Sequence, residues 1–402
     1  MNAPLFAFVT LKPTRTNNSV LIYQLSFKVL QMEIFYIALA AILLFLLSFA
    51  NGSNDVSKAV ATLAGAKITS VRNAILWGTT WTAVGAISGL YLGGAIIKNI
   101  TENIYTQKPE FIFPLALAVA TAPIIWVLLA TWRGWPVSTT HAIVGGLIGS
   151  GVAAFGIEGI AWDKALSNIA LPLLISPVIA IIMAYFLYPS LKKMANIIGR
   201  TKLCLAPVPK LIFVHAGNLQ TANIQATDNC VVCDCDTIEA QTTAGISINA
   251  DNLHWLTSGM LSFSRGLNDT PKLVAVVLPF MLMSGASMQS WAFLISAFAM
   301  AAGGLIAGQK VTKVLGFKVT QMDHIQGFSA NAISAFLVIF ASKFGLPVST
   351  THVSTSSIMG VGLVDGKGLN LHTVKSMLLA WIVTVPAAAL IAVAVYMIAG
   401  NL

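Results

Sequence analysis

Six runs of this chain are apolar for about the length a helix needs to cross a hydrocarbon core. They are Ile34–Ala50, Ala74–Ile97, Phe111–Trp132, Leu166–Tyr188, Trp291–Gly308 and Met377–Ala399. A crossing takes roughly 20 residues for a core of about 30 Å. The signal is continuous rather than alternating, which argues against a membrane β-barrel. Only 9% of the 402 residues are charged and 56% are hydrophobic, where a water-soluble surface needs about 25% charged. The expected fold class is therefore an all-α polytopic membrane protein.

The net charge of +9 does not point to nucleic acid. The positive residues sit in loops beside the spans: Lys192, Lys193, Arg200, Lys202 and Lys210 after one, Lys310, Lys313 and Lys318 after another. That is the positive-inside pattern, and no basic face with interleaved aromatics accompanies it. Residues 1–32 carry Lys12, Arg15 and Lys28 without a cleavable signal core. They read as an N-terminal extension, with Met32 an alternative start. Cys204, Cys230, Cys233 and Cys235 all fall in one polar loop, residues 199–252. "CVVCDC" lacks the paired spacing of a zinc site, so the loop reads as a reduced cytoplasmic linker, and no cofactor is expected.

Two peptides recur. "PVSTTH" occupies Pro136–His141 and Pro347–His352, and "SNDVSK" (Ser53–Lys58) returns as "LNDTPK" (Leu267–Lys272). The order is the same in both halves, so residues 33–198 and 253–402 read as two copies of one transmembrane unit. Equivalent loops carry opposite charge bias: Lys67 and Arg72 face an uncharged counterpart, whereas the neutral loop 98–110 faces three lysines in 309–320. Opposite bias implies copies inserted in opposite directions. Each repeat then needs an odd number of crossings. The segment after each PVSTTH supplies the fifth, as a tilted passage or a re-entrant hairpin, with the basic loop inside and both termini outside.

Each motif has a chemical reading. A helix running from Ile34 past "NGSND" to Ala66 is too long for one straight span, so a break is expected at Asn51-Gly52-Ser53. A second is expected at Ser264-Arg265-Gly266, with Pro271 opening its second half. PVSTTH is a helix start: proline keeps its predecessor extended, Ser138 or Ser349 caps, and the first amides face outward at the positive dipole end. With Thr139, Thr140, Thr350 and Thr351 beside those amides, the two starts suit a tetrahedral oxyanion. Glycines just beyond (Gly145, Gly146, Gly149, Gly360, Gly362) permit close helix approach. Asp55 and Asp269 are acids within spans, candidates for an ion ligand or proton carrier. His141 and His352 are read as satisfying nearby backbone rather than holding a metal, and Trp77, Trp81, Trp126 and Trp132 as interface anchors and packing.

"ANGSNDVSKAVATLAGAKITS" with "GWPVSTTHAIVGGLIGSG", and again "SRGLNDTPKLVAVVL" with "GLPVSTTHVSTSSIMG", resembles the inorganic phosphate transporter (PiT) family. "IQGFSANAISAF" (Ile325–Phe336) adds to it. The resemblance implies an inverted-repeat fold, often dimeric, in the cell (plasma or inner) membrane, carrying phosphate with Na⁺ or H⁺. It implies Asn54, Asp55, Asn268 and Asp269 as substrate or cation ligands. It implies Ser138, Thr139, Thr140, Ser349, Thr350 and Thr351 as the phosphate cradle. One departure matters: where the family motif has an amide three residues after the Asp, this chain has Lys58 and Lys272. The lysines are expected to take over part of a sodium ion's role, making transport H⁺-coupled or Na⁺-independent. The alternative is that both snorkel to an interface.

The expected function is thus a secondary transporter of inorganic phosphate working by alternating access. Three other readings stand beside it. A sulfate or other oxyanion permease would use the same scaffold, an anion channel would need no buried carboxylates, and an intramembrane hydrolase built on Ser138 and His141 would leave the second PVSTTH unexplained.

Overall fold

The computed structural model describes residues 17–102, 104–106, 112–200, 204–205, 214–215, 218–219, 246–247, 250–284, 290–366 and 368–401. Its first helix, α1 (Asn17–Gly65), runs 49 residues without a break. The later half of the expected N-terminal extension is therefore helical and continuous with the first span. Next come α2 (Val71–Leu92) and α3 (Gly94–Glu102), then α4 (Phe113–Arg133) and α5 (Thr139–Phe155). A short α6 (Trp162–Lys164) continues through a π-helical turn at Ala165–Ala170 into α7 (Leu171–Arg200).

The second half repeats the series: α8 (Ala250–Met283), α9 (Ser290–Ala307), α10 (Gln309–Phe317), α11 (His324–Lys343), α12 (Thr350–Val364) and α13 (Leu371–Ala399). In the intervening loop the described backbone forms two antiparallel pairs, Cys204–Leu205 with Ile246–Ser247 and Val214–His215 with Asn218–Leu219. Cys230, Cys233 and Cys235 lie outside the described residues.

Among the described residues, six helical stretches are long and apolar enough to cross a membrane: Ser26–Gly65, Phe113–Arg133, Trp162–Ile197, Ser290–Ala307, His324–Lys343 and Leu371–Ala399. A seventh is α2 with the start of α3, bent by 79°. The segment after the first PVSTTH, α5, is a shorter apolar helix. α8 is long enough, but Arg265, Asp269 and Lys272 interrupt its apolar character. Large apolar side chains such as Leu174, Phe186, Ile382 and Leu390 stand exposed along α7 and α13, as a lipid-facing surface requires.

The two expected helix breaks are absent. α1 passes through Asn51-Gly52-Ser53 and α8 through Ser264-Arg265-Gly266, with Pro271 inside the helix. The polar residues bond within or across helices instead of opening the backbone: Ser53 Oγ donates to Ala50 O at 2.7 Å and Ser264 Oγ to Leu261 O at 2.9 Å. The glycines admit neighbours. A Cβ on Gly52 would sit 2.0 Å from Met300 O of α9, and one on Gly266 would sit 2.2 Å from Thr82 O of α2. The sharp change of direction comes at Gly93, between α2 and α3.

Helices bearing matching motifs make matching contacts with exchanged partners. α1 packs on α9 and α8 on α2; α5 packs on α13 and α12 on α7. Close approach recurs at Gly145 and Gly149, whose absent side chains leave room for Val385 O and Ala389 O. Each half is therefore completed by the other, and the motif-bearing helices are buried between them.

Candidate functional site

Two short connections set the site. α4 ends at Gly134 in the left-handed conformation (φ 77°), and α11 is followed by Gly345 at φ 67°. Each glycine reverses the chain into Pro-Val-Ser, which only a residue without a Cβ does at low cost. Ser138 and Ser349 then hold extended backbone and cap α5 and α12, accepting from His141 N and His352 N at 3.2 Å each. The sequence expectation of a serine-capped helix start holds in both copies, and places the first amides of two helices in the protein interior.

The Asn-Asp segments of α1 and α8 pass beside these starts. Asp55 and Asp269 are 2% and 3% exposed, Lys58 and Lys272 1% each. The lysines do not snorkel; each is folded back onto its own aspartate. Lys58 Nζ bonds Asp55 Oδ1 and donates to Val137 O at 2.7 Å. Lys272 Nζ bonds Asp269 Oδ1 at 3.1 Å and donates to Val348 O at 2.8 Å, Thr140 Oγ1 at 3.0 Å and Asn268 Oδ1. Each ammonium thus sits among a carboxylate and the valine carbonyl of its own PVSTTH. Burying such charges is tolerable only with this degree of pairing.

The halves meet here. Asn51 Nδ2 donates to Asp55 Oδ2 at 2.8 Å, Thr139 Oγ1 at 3.2 Å and Asp269 Oδ2 at 3.5 Å. One amide therefore reaches both carboxylates. Thr139 Oγ1 lies 3.3 Å from Asp55 Oδ2 and Thr350 Oγ1 lies 3.4 Å from Asp269 Oδ2. Thr351 Oγ1 donates across to Val137 O at 3.0 Å. The expected residues Asp55, Asp269, Lys58, Lys272, Thr139, Thr140, Thr350 and Thr351 are thus gathered in one polar cluster.

Asn54 and Asn268 have other partners. Asn54 Nδ2 donates to Thr131 Oγ1 and Trp135 O at 2.9 Å each, and its Oδ1 accepts from Val137 N at 3.1 Å. Asn268 Nδ2 donates to Ser342 Oγ at 2.8 Å. Asn54 clamps the connection that leads into the first PVSTTH, whereas Asn268 ties the last turn of α11 to Lys272. His141 and His352 lie against each other with ring centroids 4.4 Å apart and planes tilted by 44°, and Trp381 meets His352 at 4.0 Å, tilted by 33°. Nδ1 of His141 and both ring nitrogens of His352 have no hydrogen-bond partner among the described residues, so the expected bonding to nearby backbone is absent at these three atoms. Among the described residues no group of three or more His, Cys, Asp or Glu could hold a metal.

Sequence reasoning missed Asn51 and Arg265 as site residues, treating them only as part of a helix break. The alignment that pairs Asp55 with Asp269 also pairs these two. A polar or charged residue one helical turn before each buried acid was the available signal.

Comparison with known proteins gives a consistent result. The model of the phosphate transporter family matches residues 51–392. A putative phosphate permease of Thermococcus kodakarensis is 28% identical over 381 residues, covering 86% of this chain and 93% of its own. A probable low-affinity inorganic phosphate transporter of Bacillus subtilis is 28% identical over 356 residues, with 87% and 93% covered. A solved structure described as the sodium-dependent phosphate transporter superposes with TM-score 0.70 at 26% identity, over 93% of this chain and 100% of that one.

Proposed function

The chain belongs to the phosphate transporter family and is a multi-pass membrane transporter rather than an enzyme; from that premise we propose that it carries inorganic phosphate by alternating access. Residues 33–198 and 253–402 act as two oppositely inserted repeats. The anion is received by the hydroxyls and amides at the two PVSTTH helix starts, with Thr139, Thr140, Thr350 and Thr351 as donors. The observation that carries this reading is the junction at Asn51, where carboxylates from both repeats meet beside both helix starts. A site shared by two bodies is opened to either side by moving one against the other.

Transport in this reading is H⁺-coupled or independent of Na⁺. Lys58 and Lys272 occupy, as tethered cations, the kind of oxygen-lined position that a sodium ion takes elsewhere. The support is their seating: carboxylate and carbonyl oxygens surround both ammoniums, with a hydroxyl added at Lys272. The solved relative is described as sodium-dependent, so Na⁺ coupling is the competing outcome. Uptake of labelled phosphate into proteoliposomes, with and without Na⁺ and at two pH values, separates them. A steep Na⁺ dependence would sink the tethered-cation reading. The Lys58→Asn, Lys272→Asn double variant should gain Na⁺ dependence; unchanged coupling in it counts equally against the idea. Unlabelled sulfate as competitor tests the second reading, an oxyanion permease on the same scaffold, and saturable counterflow tests the channel.

A further inference from the structure

Among the described residues, five charged side chains are buried: the acids Asp55 and Asp269, and the bases Lys58, Arg265 and Lys272. Lys58 and Lys272 each have a carboxylate. Arg265 is in no ion pair among the described residues, so one positive charge is left without a counter-charge in the middle of the protein. It is 1% exposed. One terminal nitrogen, Nη2, donates to Thr82 Oγ1 at 2.8 Å. Nε and Nη1 have no hydrogen-bond partner among the described residues. A guanidinium does not discharge itself at physiological pH, and an unpaired buried ion costs several kcal/mol.

Its surroundings deny it an escape to lipid or water. Gly266, the next residue, sits where any Cβ would meet Thr82 O at 2.2 Å, so α2 closes tightly over this turn of α8. Arg265 precedes Asp269 by four residues, one helical turn on the same face, and its charge acts on both Asp269 and Lys58. It therefore borders the cluster at which the repeats meet. The matching position in the first copy is Asn51, whose neutral amide is fully used as a donor among protein oxygens. The two copies thus differ at one turn: in the first the amide N–H groups are used by protein oxygens and its Oδ1 lacks a partner among the described residues, whereas in the second two nitrogens of a charged group are left without one.

We propose that Arg265, whose Nε and Nη1 are buried without partners beside Asp269, is the charged contact for the transported oxyanion, gripping two of its oxygens with the guanidinium fork. The proposal rests on the phosphate reading above. The geometry suits it: Nη2 carries two N–H groups and Thr82 takes one, so its other N–H pairs with that of Nε or of Nη1 along one edge of the guanidinium, at the spacing of two tetrahedral oxygens. It also explains how an anion is drawn into a site that contains two carboxylates: the lysines cancel them, and the arginine supplies the remaining attraction.

The test is binding and uptake by the purified full-length protein. Inorganic phosphate should raise the Tm of the unaltered protein in a concentration-dependent manner, and labelled phosphate uptake should saturate. In Arg265→Gln the apparent Kd and KM for phosphate should rise at least about tenfold, the usual scale for a lost hydrogen-bonded charge. Thr82→Val, which removes the arginine's hydrogen bond but not its charge, should leave both within about threefold. Should the glutamine variant not fold, Arg265→Lys is read instead. Keeping the charge but losing the fork, it should weaken phosphate by about three- to tenfold.

A substituted protein that folds and binds phosphate as before overturns the proposal. So does a Thr82→Val variant as impaired in KM as Arg265→Gln, because the arginine would then be only a tie between α8 and α2. A parallel arm with sulfate distinguishes this failure from failure of the phosphate reading. If sulfate but not phosphate stabilises the unaltered protein, and Arg265→Gln abolishes that, the arginine contact stands and the phosphate reading falls. If neither oxyanion binds, both fall.

Discussion

Asp55 illustrates how little freedom a buried charge has here. Its carboxylate meets Lys58, Asn51 and Thr139, so Asp55→Asn leaves an ammonium buried against a neutral amide. Breaking one partner of such a pair costs about 3–5 kcal/mol. We expect a clear drop in Tm together with loss of uptake, whereas a residue that only binds substrate would lose uptake at unchanged Tm. Ser138→Ala should be milder. It removes the oxygen that accepts from His141 N, worth about 1 kcal/mol at an N-cap, and a shift in Tm corresponding to that magnitude is the check. The residues of this cluster were largely legible in the sequence, because each came as a duplicated polar group in an apolar context. Their partners were not. Val137 and Val348 contribute only carbonyls, and a backbone acceptor carries no signature in a side-chain pattern.

Between helices, glycine and one surface tie decide the contacts. A methyl group on Gly52 would fall 2.0 Å from Met300 O, and one on Gly85 would fall 2.0 Å from Phe263 O. Ordinarily Gly→Ala favours a helix by about 1 kcal/mol; at these two positions the sign should reverse, with lowered Tm and loss of folded protein on size exclusion. Asp365, just after α12, ties three helices together. It bonds Lys192 Nζ of α7 and accepts from Gln326 Nε2 of α11, each at 2.5 Å. Burial pushes its carboxyl up, but the Lys192 bond and charge, the Gln326 bond and the nearby Tyr188 hydroxyl outweigh that and hold it below the usual carboxylate range. A lowered carboxylate stabilises the fold above its unfolded-state pKa, and that contribution fades as pH falls through the lowered value. Asp365→Asn should therefore reduce Tm near neutral pH, and the difference from the unaltered protein should shrink in strong acid. The sequence announced both PVSTTH helix starts down to the capping serine. It misplaced the breaks, because Asn, Gly and Ser in a long apolar run resemble an interruption whether they open the backbone or let another helix lie against it. The neighbour that distinguishes the two cases, α9 or α2, comes from the other half of the chain.

For the whole molecule, apolar run length was enough to read a helical membrane protein, and motif duplication is what motivates the proposal of two repeats. How the halves interlock was not readable. α1 lies on α9 and α8 on α2, an exchange that depends on contacts roughly 180 to 250 residues apart in sequence. The proposed opposite insertion has a direct check at this scale. Lys98 of α3 and Lys313 of α10 are exposed on helices that follow equivalent spans. Single cysteines at those two positions should react with a membrane-impermeant thiol reagent from opposite sides of the membrane. Labelling from one side would mean that the copies are inserted in parallel.

The unequal pair Asn51 and Arg265 bears on the resting balance of such a carrier. Two identical halves in opposite orientation would make the inward-open and outward-open conformers equivalent by a two-fold rotation, equal in energy and equally populated without cargo or gradient. An amide in one half and a guanidinium in the other lifts that degeneracy. The empty carrier should therefore favour one side, and since an energy gap of 1.4 kcal/mol is a tenfold bias, even a modest difference leaves most molecules waiting at a single face of the membrane.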